Sequence, residues 1–329
     1  MDYRRLGQSG LQLSAFSLGS WVTFARQVDA AAAREMMALA YDQGVNFYDN
    51  AEVYENGESE RLMGAAIRKL AWPRDTFCVS SKVFWGGDKP TQRGLSRKHV
   101  VEACHAALKR LNVDYLDLYF CHRPDIETPI AETVRAMHDL ITQGKVLYWG
   151  SSEWNAQQIT EAYGVARAHH LTPPTMEQPM YHLFHREKFE KELLPLFEHH
   201  GLGSTTFCPL AMGILTGKYR DGIPEGSRFS LSGYDWMRKK YQGAEVQDQV
   251  AKTRALEKLA DDAGLPVHHL ALLWCLQNPH VSSVILGASR LSQLEDNLGA
   301  LRHKDKMTPE LMAAIEAVVD NRPEPFSRF

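Results

Sequence analysis

The feature that most constrains this chain is an alternation. Apolar runs of strand length recur at residues 13–18, 45–49, 77–82, 116–122, 146–151, 175–178, 203–208 and 283–286. Longer amphipathic stretches at 30–42, 59–70, 98–111, 130–142, 155–169 and 187–200 lie between them, and further helical patterns follow at 246–263, 267–277 and 291–300. Strand-length runs separated by helical periodicity predict parallel strands joined by helices. Punctuation agrees with this reading. Gly44, Gly144 and Gly201 each stand where a helix should end, and Ser96 and Asn155 suit helix starts. Eight such units closing on themselves make a (β/α)8 TIM barrel of the α/β class. A doubly wound sheet would carry G-x-G-x-x-G after its first strand, and that motif is missing there. We therefore expect one barrel domain over residues 1–329. It is entered by an N-terminal β-hairpin that turns at Leu6-Gly7-Gln8-Ser9-Gly10, and a long Gly-rich loop at 209–247 follows strand seven. A loop of that length in a compact domain is usually functional, and a ligand-covering lid is the favoured reading.

Charge and composition exclude several classes. Among 329 residues the formal net charge is −3, so no basic field favours nucleic acid or an anionic membrane. No apolar run is long enough to insert into a membrane, and none resembles a leader at Met1, so a cytoplasmic location is expected. Five widely spaced cysteines without C-x-x-C read as reduced, buried thiols. The histidine pairs His169-His170, His199-His200 and His268-His269 lack metal-ligand spacing, so no metal is expected.

Strand ends carry the chemistry in such a barrel. Asp49 and Lys82 end their strands, His122 ends the fourth, and Tyr54 closely follows Asp49. Parallel neighbours would bring all four together. A phenol with a pKa near 10 is a reluctant acid at neutral pH. A neighbouring ammonium favours phenolate and makes the phenol a better proton donor. Asp49 would keep Lys82 charged and in place, and His122 could orient a carbonyl oxygen. None of the four is a good covalent nucleophile. The set polarises and protonates a small carbonyl substrate, so the electron pair must come from a cofactor hydride. Trp21, Phe84 and Trp85 would line the pocket beside Tyr54 and His122. Gly287-Ala288-Ser289-Arg290, followed by Gln293, Asp296 and Asn297, could hold phosphate at a helix start after the last strand.

Taken together, 44-Gly-Val-Asn-Phe-Tyr-Asp-Asn-Ala-Glu-Val-Tyr-54, Glu58 to Gly64, Phe207-Cys208-Pro209-Leu210-Ala211, Gly217-Lys218-Tyr219, Ser227-Arg228, Gly233-Tyr234 and the tail from Gly287 to Ala300 carry a resemblance. The chain resembles the aldo-keto reductase superfamily, and within it the voltage-gated potassium channel β-subunit-like branch. That resemblance implies catalytic roles for Asp49, Tyr54, Lys82 and His122. It implies NADPH as cofactor, with nicotinamide contacts at Ser152 and Gln178 and the ring on Phe207. It adds Ser20, Trp21, Gln27, Asp49, Cys208, Pro209, Leu210, Ala211, Met212, Lys218 and Arg228. At the adenosine end it adds Gly287, Ser289, Arg290, Gln293, Asp296 and Asn297, with Ser289 and Arg290 suited to a 2′-phosphate. The branch also implies a homotetramer and, as the alternative function, an NADP(H)-sensing subunit of a potassium channel. Channel β subunits commonly carry Asn where this chain has His122, which favours turnover here. Glu153, Gly226 and Asp296 depart from the branch's Arg, Tyr and Glu. The branch's channel-blocking N-terminal extension is not expected, because the barrel begins almost at Met1.

Overall fold

A computed structural model describes residues 1–231 and 235–326. Gly233 and Tyr234, quoted above for the resemblance, lie outside the described residues. In chain order the strands are β1 (Tyr3–Arg5), β2 (Gln12–Ser14), β3 (Phe16–Gly19), β4 (Phe47–Asp49), β5 (Cys78–Val83), β6 (Leu116–Cys121), β7 (Val146–Ser151), β8 (Met176–Glu177), β9 (Gly203–Thr206) and β10 (Ser283–Leu286). The helices are α1 (Ala30–Asp42), α2 (Glu58–Leu70), α3 (Arg97–Leu111), α4 (Ile130–Thr142), α5 (Ala156–Ala168), α6 (Leu194–His200), α7 (Asp235–Tyr241), α8 (Ala244–Asp262), α9 (Val267–Gln277), α10 (Leu291–Gly299) and α11 (Pro309–Val319). None of the described helices is long and apolar enough to cross a membrane.

The chain divides into two compact units. The first comprises Met1–Pro179, Glu192–Phe207 and His280–Leu298. It holds the expected eight-stranded parallel barrel, closed in the order β10-β3-β4-β5-β6-β7-β8-β9, and the antiparallel hairpin β1–β2. The expected helix caps are present. Ser96 accepts from the His99 amide at 3.4 Å and Asn155 from the Gln158 amide at 2.8 Å. Gly44, Gly144 and Gly201 take positive φ just past their helices.

Alternation along the strands fills the barrel. Phe47, Cys78, Leu118, Phe120, Met176 and Ile285 form one buried cluster, joined by Leu6 and Leu13 of the hairpin. Phe47, Cys78 and Met176 stand at the first residue of their strands, so the hairpin closes the N-terminal end. Side chains two residues further on along the same face lie one layer nearer the C-terminal end. For Phe47 that is Asp49, for Phe120 it is His122, and for Met176 it is Gln178. For Cys78 the series runs through Ser80 to Lys82. The sequence pattern that builds the core thus also aims the polar set.

Three local departures have physical causes. Residues 13–18, expected as one strand, are split at Ala15 between hairpin and barrel. The Ser14 hydroxyl donates to the Phe16 carbonyl at 2.6 Å, and Asn46 Oδ1 accepts from the Ser14 amide at 2.7 Å, which turns the chain there. The expected helix at 187–200 is a π-turn at Lys188–Glu192 followed by α6, which carries the N–H-less Pro195 in its first turn. Cys208 is half-buried, while the other four thiols are buried and free, as expected.

The second unit comprises Met180–Lys191, Cys208–Pro279 and Gly299–Phe329. The expected loop at 209–247 is largely ordered structure. It contains 3-10 turns at Ala211–Thr216 and Arg228–Ser230, then α7 and the start of α8. Tyr219, Phe229 and Tyr241 form its own aromatic cluster, with ring centroids 4.7 to 5.7 Å apart. Elsewhere in this unit the buried Arg186 guanidinium stacks 5.1 Å from the Trp274 ring and pairs with Glu190 and Glu316 at 2.9 and 2.8 Å. That network ties α11 to α9.

Candidate active site

Strand register sets the geometry. Gly19 lies beside Asp49, Lys82 beside Phe120, and Cys121 beside Ser151. The C-terminal strand ends therefore form one rim, and the expected tetrad converges there. The Lys82 ammonium is fully buried and its three N–H groups find three acceptors: Asp49 Oδ2 at 2.6 Å, the Asn50 carbonyl at 2.8 Å and the Tyr54 hydroxyl at 3.2 Å. Since the Tyr54 oxygen accepts from Lys82, its own hydrogen is directed elsewhere. Asp49 Oδ1 accepts from Ser80 at 2.8 Å and from Gln178 Nε2 at 3.1 Å, so both of its oxygens are engaged. The His122 ring stands edge-on to Tyr54, with centroids 5.8 Å apart at 77°.

Electrostatics follow from burial. Burial lowers the Lys82 pKa, and the Asp49 charge opposes that fall. His122 is held well below the ordinary histidine value by burial first, then by the positive charges of Lys82 and Arg123. At neutral pH it is a neutral imidazole, and its Nδ1 is buried without a hydrogen-bond partner. This has a thermodynamic consequence. Below about pH 6.5 the unfolded chain binds a proton on this ring and the folded chain does not. Stability should then fall as pH drops below that value, by up to about 1.4 kcal/mol per pH unit from this residue, until the depressed folded pKa is reached. Urea unfolding from pH 7 to pH 5 should show His122→Asn flattening that slope by up to one proton. An unchanged slope would mean that His122 is protonated in the fold.

The remaining predicted residues fall into clear places. Ser20 is buried, and its amide and hydroxyl both donate to the Asp49 carbonyl at 3.1 Å. Trp21 and Gln27 are half-buried in the loop after β3. Ser152 donates to the Gln178 carbonyl at 2.8 Å, which joins those two next to Asp49. Phe207 follows β9, its amide bonded to the Pro179 carbonyl at 3.1 Å. Ser289 turns its amide and hydroxyl to Gln293 Oε1, both at 3.1 Å, just before α10. On the same stretch Gly287, Arg290 and Asp296 are exposed and Asn297 is buried. Cys208, Pro209, Leu210, Ala211, Met212, Lys218 and Arg228 belong to the second unit. Cys208, Ala211 and Met212 there take positive φ, and Lys218 is exposed. Phe84 and Trp85 are half-buried, and the Trp85 ring lies 5.1 Å from His122.

Three supporting residues escaped the sequence reading. Ser80 was within reach of it, because it shares the inward parity of Lys82. The Asn50 carbonyl was not, since any residue offers one. Glu52 gives no local sign of its partners. Its carboxylate accepts from the Phe84 amide at 2.7 Å and lies 3.4 Å from His99 Nε2. Burial works against a charged His99, but the Glu52 partner outweighs it and raises the pKa. Glu52 thus clips the pocket wall at Phe84 and Trp85 to the segment that carries Tyr54. Glu52→Ala would orphan the Phe84 N–H and is expected to cost about 1–3 kcal/mol in urea unfolding. Glu52→Gln keeps an acceptor there and should cost less. Equal costs would remove the Phe84 contact from this account.

Comparisons with known proteins match almost the whole chain. The model of the Aldo/keto reductase family matches residues 15–320. A protein of Arabidopsis thaliana named "Probable voltage-gated potassium channel subunit beta" is 49% identical over 325 residues, 98% of each chain. A protein of Oryza sativa subsp. japonica with the same name is 49% identical over 325 residues, again 98% of each.

Proposed function

Because the chain belongs to the aldo/keto reductase family, we propose that it is an NADPH-dependent reductase of aldehydes and ketones. The observation that carries this reading is the buried Lys82 ammonium, which spans Asp49 and the Tyr54 hydroxyl beside an edge-on His122. In this reading the carbonyl carbon of the substrate takes a hydride, and its oxygen takes the Tyr54 proton. Lys82 stabilises the phenolate that remains, and Asp49 holds Lys82 charged in a site where burial disfavours the charge. Neutral His122 donates a hydrogen bond to the carbonyl oxygen and orients it, while proton delivery belongs to Tyr54.

The residues present fit a nicotinamide. Gln178 donates its two amide hydrogens to Asp49 Oδ1 at 3.1 Å and Thr205 Oγ1 at 3.3 Å, which turns Oε1 into the acceptor offered to a carboxamide N–H. Ser152, fixed by its bond to the Gln178 carbonyl, keeps acceptor capacity beside it. When bound, NADPH supplies the hydride. Ser289, Arg290, Gln293 and Asn297 are proposed for its adenosine 2′-phosphate end, which favours NADPH over NADH. Incubation with NADPH and 4-nitrobenzaldehyde should deplete the reduced-nicotinamide absorbance and form the alcohol. No depletion at any pH between 6 and 8 would refute the reading.

A second reading is supported by the printed names of the two plant relatives. In it the chain also serves as an NADP(H)-sensing subunit of a potassium channel. Pull-down with a channel cytoplasmic domain, with NADPH or NADP+ present, tests it, and failure to bind in both states counts against it.

A further inference from the structure

Arg123 follows His122 at the rim and is half-buried. Two other half-buried arginines of the barrel unit have carboxylate partners: Arg74 has Asp117 and Arg110 has Glu60, each at 2.5 Å. Among the described residues no carboxylate pairs with Arg123. Its Nη1 donates to the His122 carbonyl at 2.5 Å and lies 3.5 Å from Ser152 Oγ, and its guanidinium sits 5.3 Å from the centre of the Trp85 ring. These partners are neutral and occupy only part of its five N–H groups. Lys82 has Asp49 as its carboxylate partner, whereas Arg123 has no such partner among the described residues. The effect of the Arg123 charge is felt at the reacting groups, where it lowers the pKa of both Lys82 and His122. A carboxylate from outside would pair with Arg123, and Arg holds carboxylate in a paired, planar geometry.

We propose that Arg123 is a specificity-determining residue that receives the carboxylate of the substrate, so that the preferred substrates are aldehydes bearing an anionic carboxylate group. The half-buried Phe84 and Trp85 beside it suit a flat spacer between the two groups. This inference rests on the reductase reading above for the aldehyde end, but the anion end stands on its own observations.

Two isosteric probes separate charge from shape: 4-carboxybenzaldehyde, and 4-nitrobenzaldehyde, which has a similar outline and no net charge. The readout is the ratio of their kcat/KM values, compared between wild type, Arg123→Met and Arg123→Lys. Losing a charge-assisted hydrogen bond should lower the ratio in Arg123→Met by about tenfold to a hundredfold, carried mainly by the KM of the carboxylate. Arg123→Lys keeps the charge and should retain part of it. An effect of equal size on both aldehydes would mean that Arg123 only supports Trp85 and His122, and the proposal falls. A parallel arm reads binding without turnover, through quenching of tryptophan fluorescence by terephthalate in the presence of NADP+. Wild type should bind it about tenfold or more tighter than Arg123→Met. If both aldehydes are reduced and neither the ratio nor the binding moves, the anion site is wrong and the reductase stands. If neither is reduced but binding depends on Arg123, the anion site stands and the reductase reading falls. If neither is reduced and binding does not depend on Arg123, both fall.

Discussion

Tyr54→Phe should reduce 4-nitrobenzaldehyde with NADPH at least ~10²-fold more slowly than wild type, the usual scale of a positioned general acid. The substitution removes one oxygen from a half-buried ring and leaves the ring contacts in place. The loss should therefore appear in kcat, with the fold and cofactor affinity close to those of wild type. It removes one of the three acceptors of Lys82 and leaves Asp49 and the Asn50 carbonyl. In wild type with chemistry rate-limiting, the rate should also fall as rising pH removes the Tyr54 proton. The proton donor is lost in that direction. Equal rates for wild type and Tyr54→Phe would remove Tyr54 from the role.

The second large effect is on stability. Asp49→Ala strands a fully buried ammonium and takes the acceptor from Ser80 and Gln178 as well. Removing one partner of a buried ion pair costs about 3–5 kcal/mol, because the other charge is left uncompensated. Urea unfolding should show that loss in the midpoint with the slope unchanged. Asp49→Asn keeps one carbonyl oxygen in place and should lose less. A loss below about 1 kcal/mol for Asp49→Ala would mean that Lys82 is neutral in the fold.

Much of this arrangement was legible in the chain because one pattern does two jobs. The parity that buries Phe47, Phe120 and Met176 also turns Asp49, His122 and Gln178 to the same rim. Strand length then put them at one end. What escaped was long-range or backbone-borne. The tie from Glu52 to Phe84 and His99 joins separate loops, and no local spacing announces it. The break at Ala15 comes from Asn46, which reaches back to Ser14 from the residue before β4. The segment at 209–247 looked irregular because Tyr219, Phe229 and Tyr241 pack on one another from turns and a short helix, without a single period. Helix α11 was not expected from the sequence, although Thr308 caps it and Pro309 stands in its first turn. Arg123 was visible as a letter. Its significance rests on having no carboxylate partner among the described residues, which only the fold reveals.

The most direct test of the central claim follows the hydride itself. NADPH carrying deuterium at nicotinamide C4, on each face in turn, is incubated with the protein and 4-nitrobenzaldehyde, and the alcohol is analysed by mass spectrometry. One face alone should deliver its label to the alcohol carbon, one deuterium per molecule, and Tyr54→Phe should slow this without changing the face. Alcohol free of deuterium from either labelled form, or no alcohol from wild type, would contradict it.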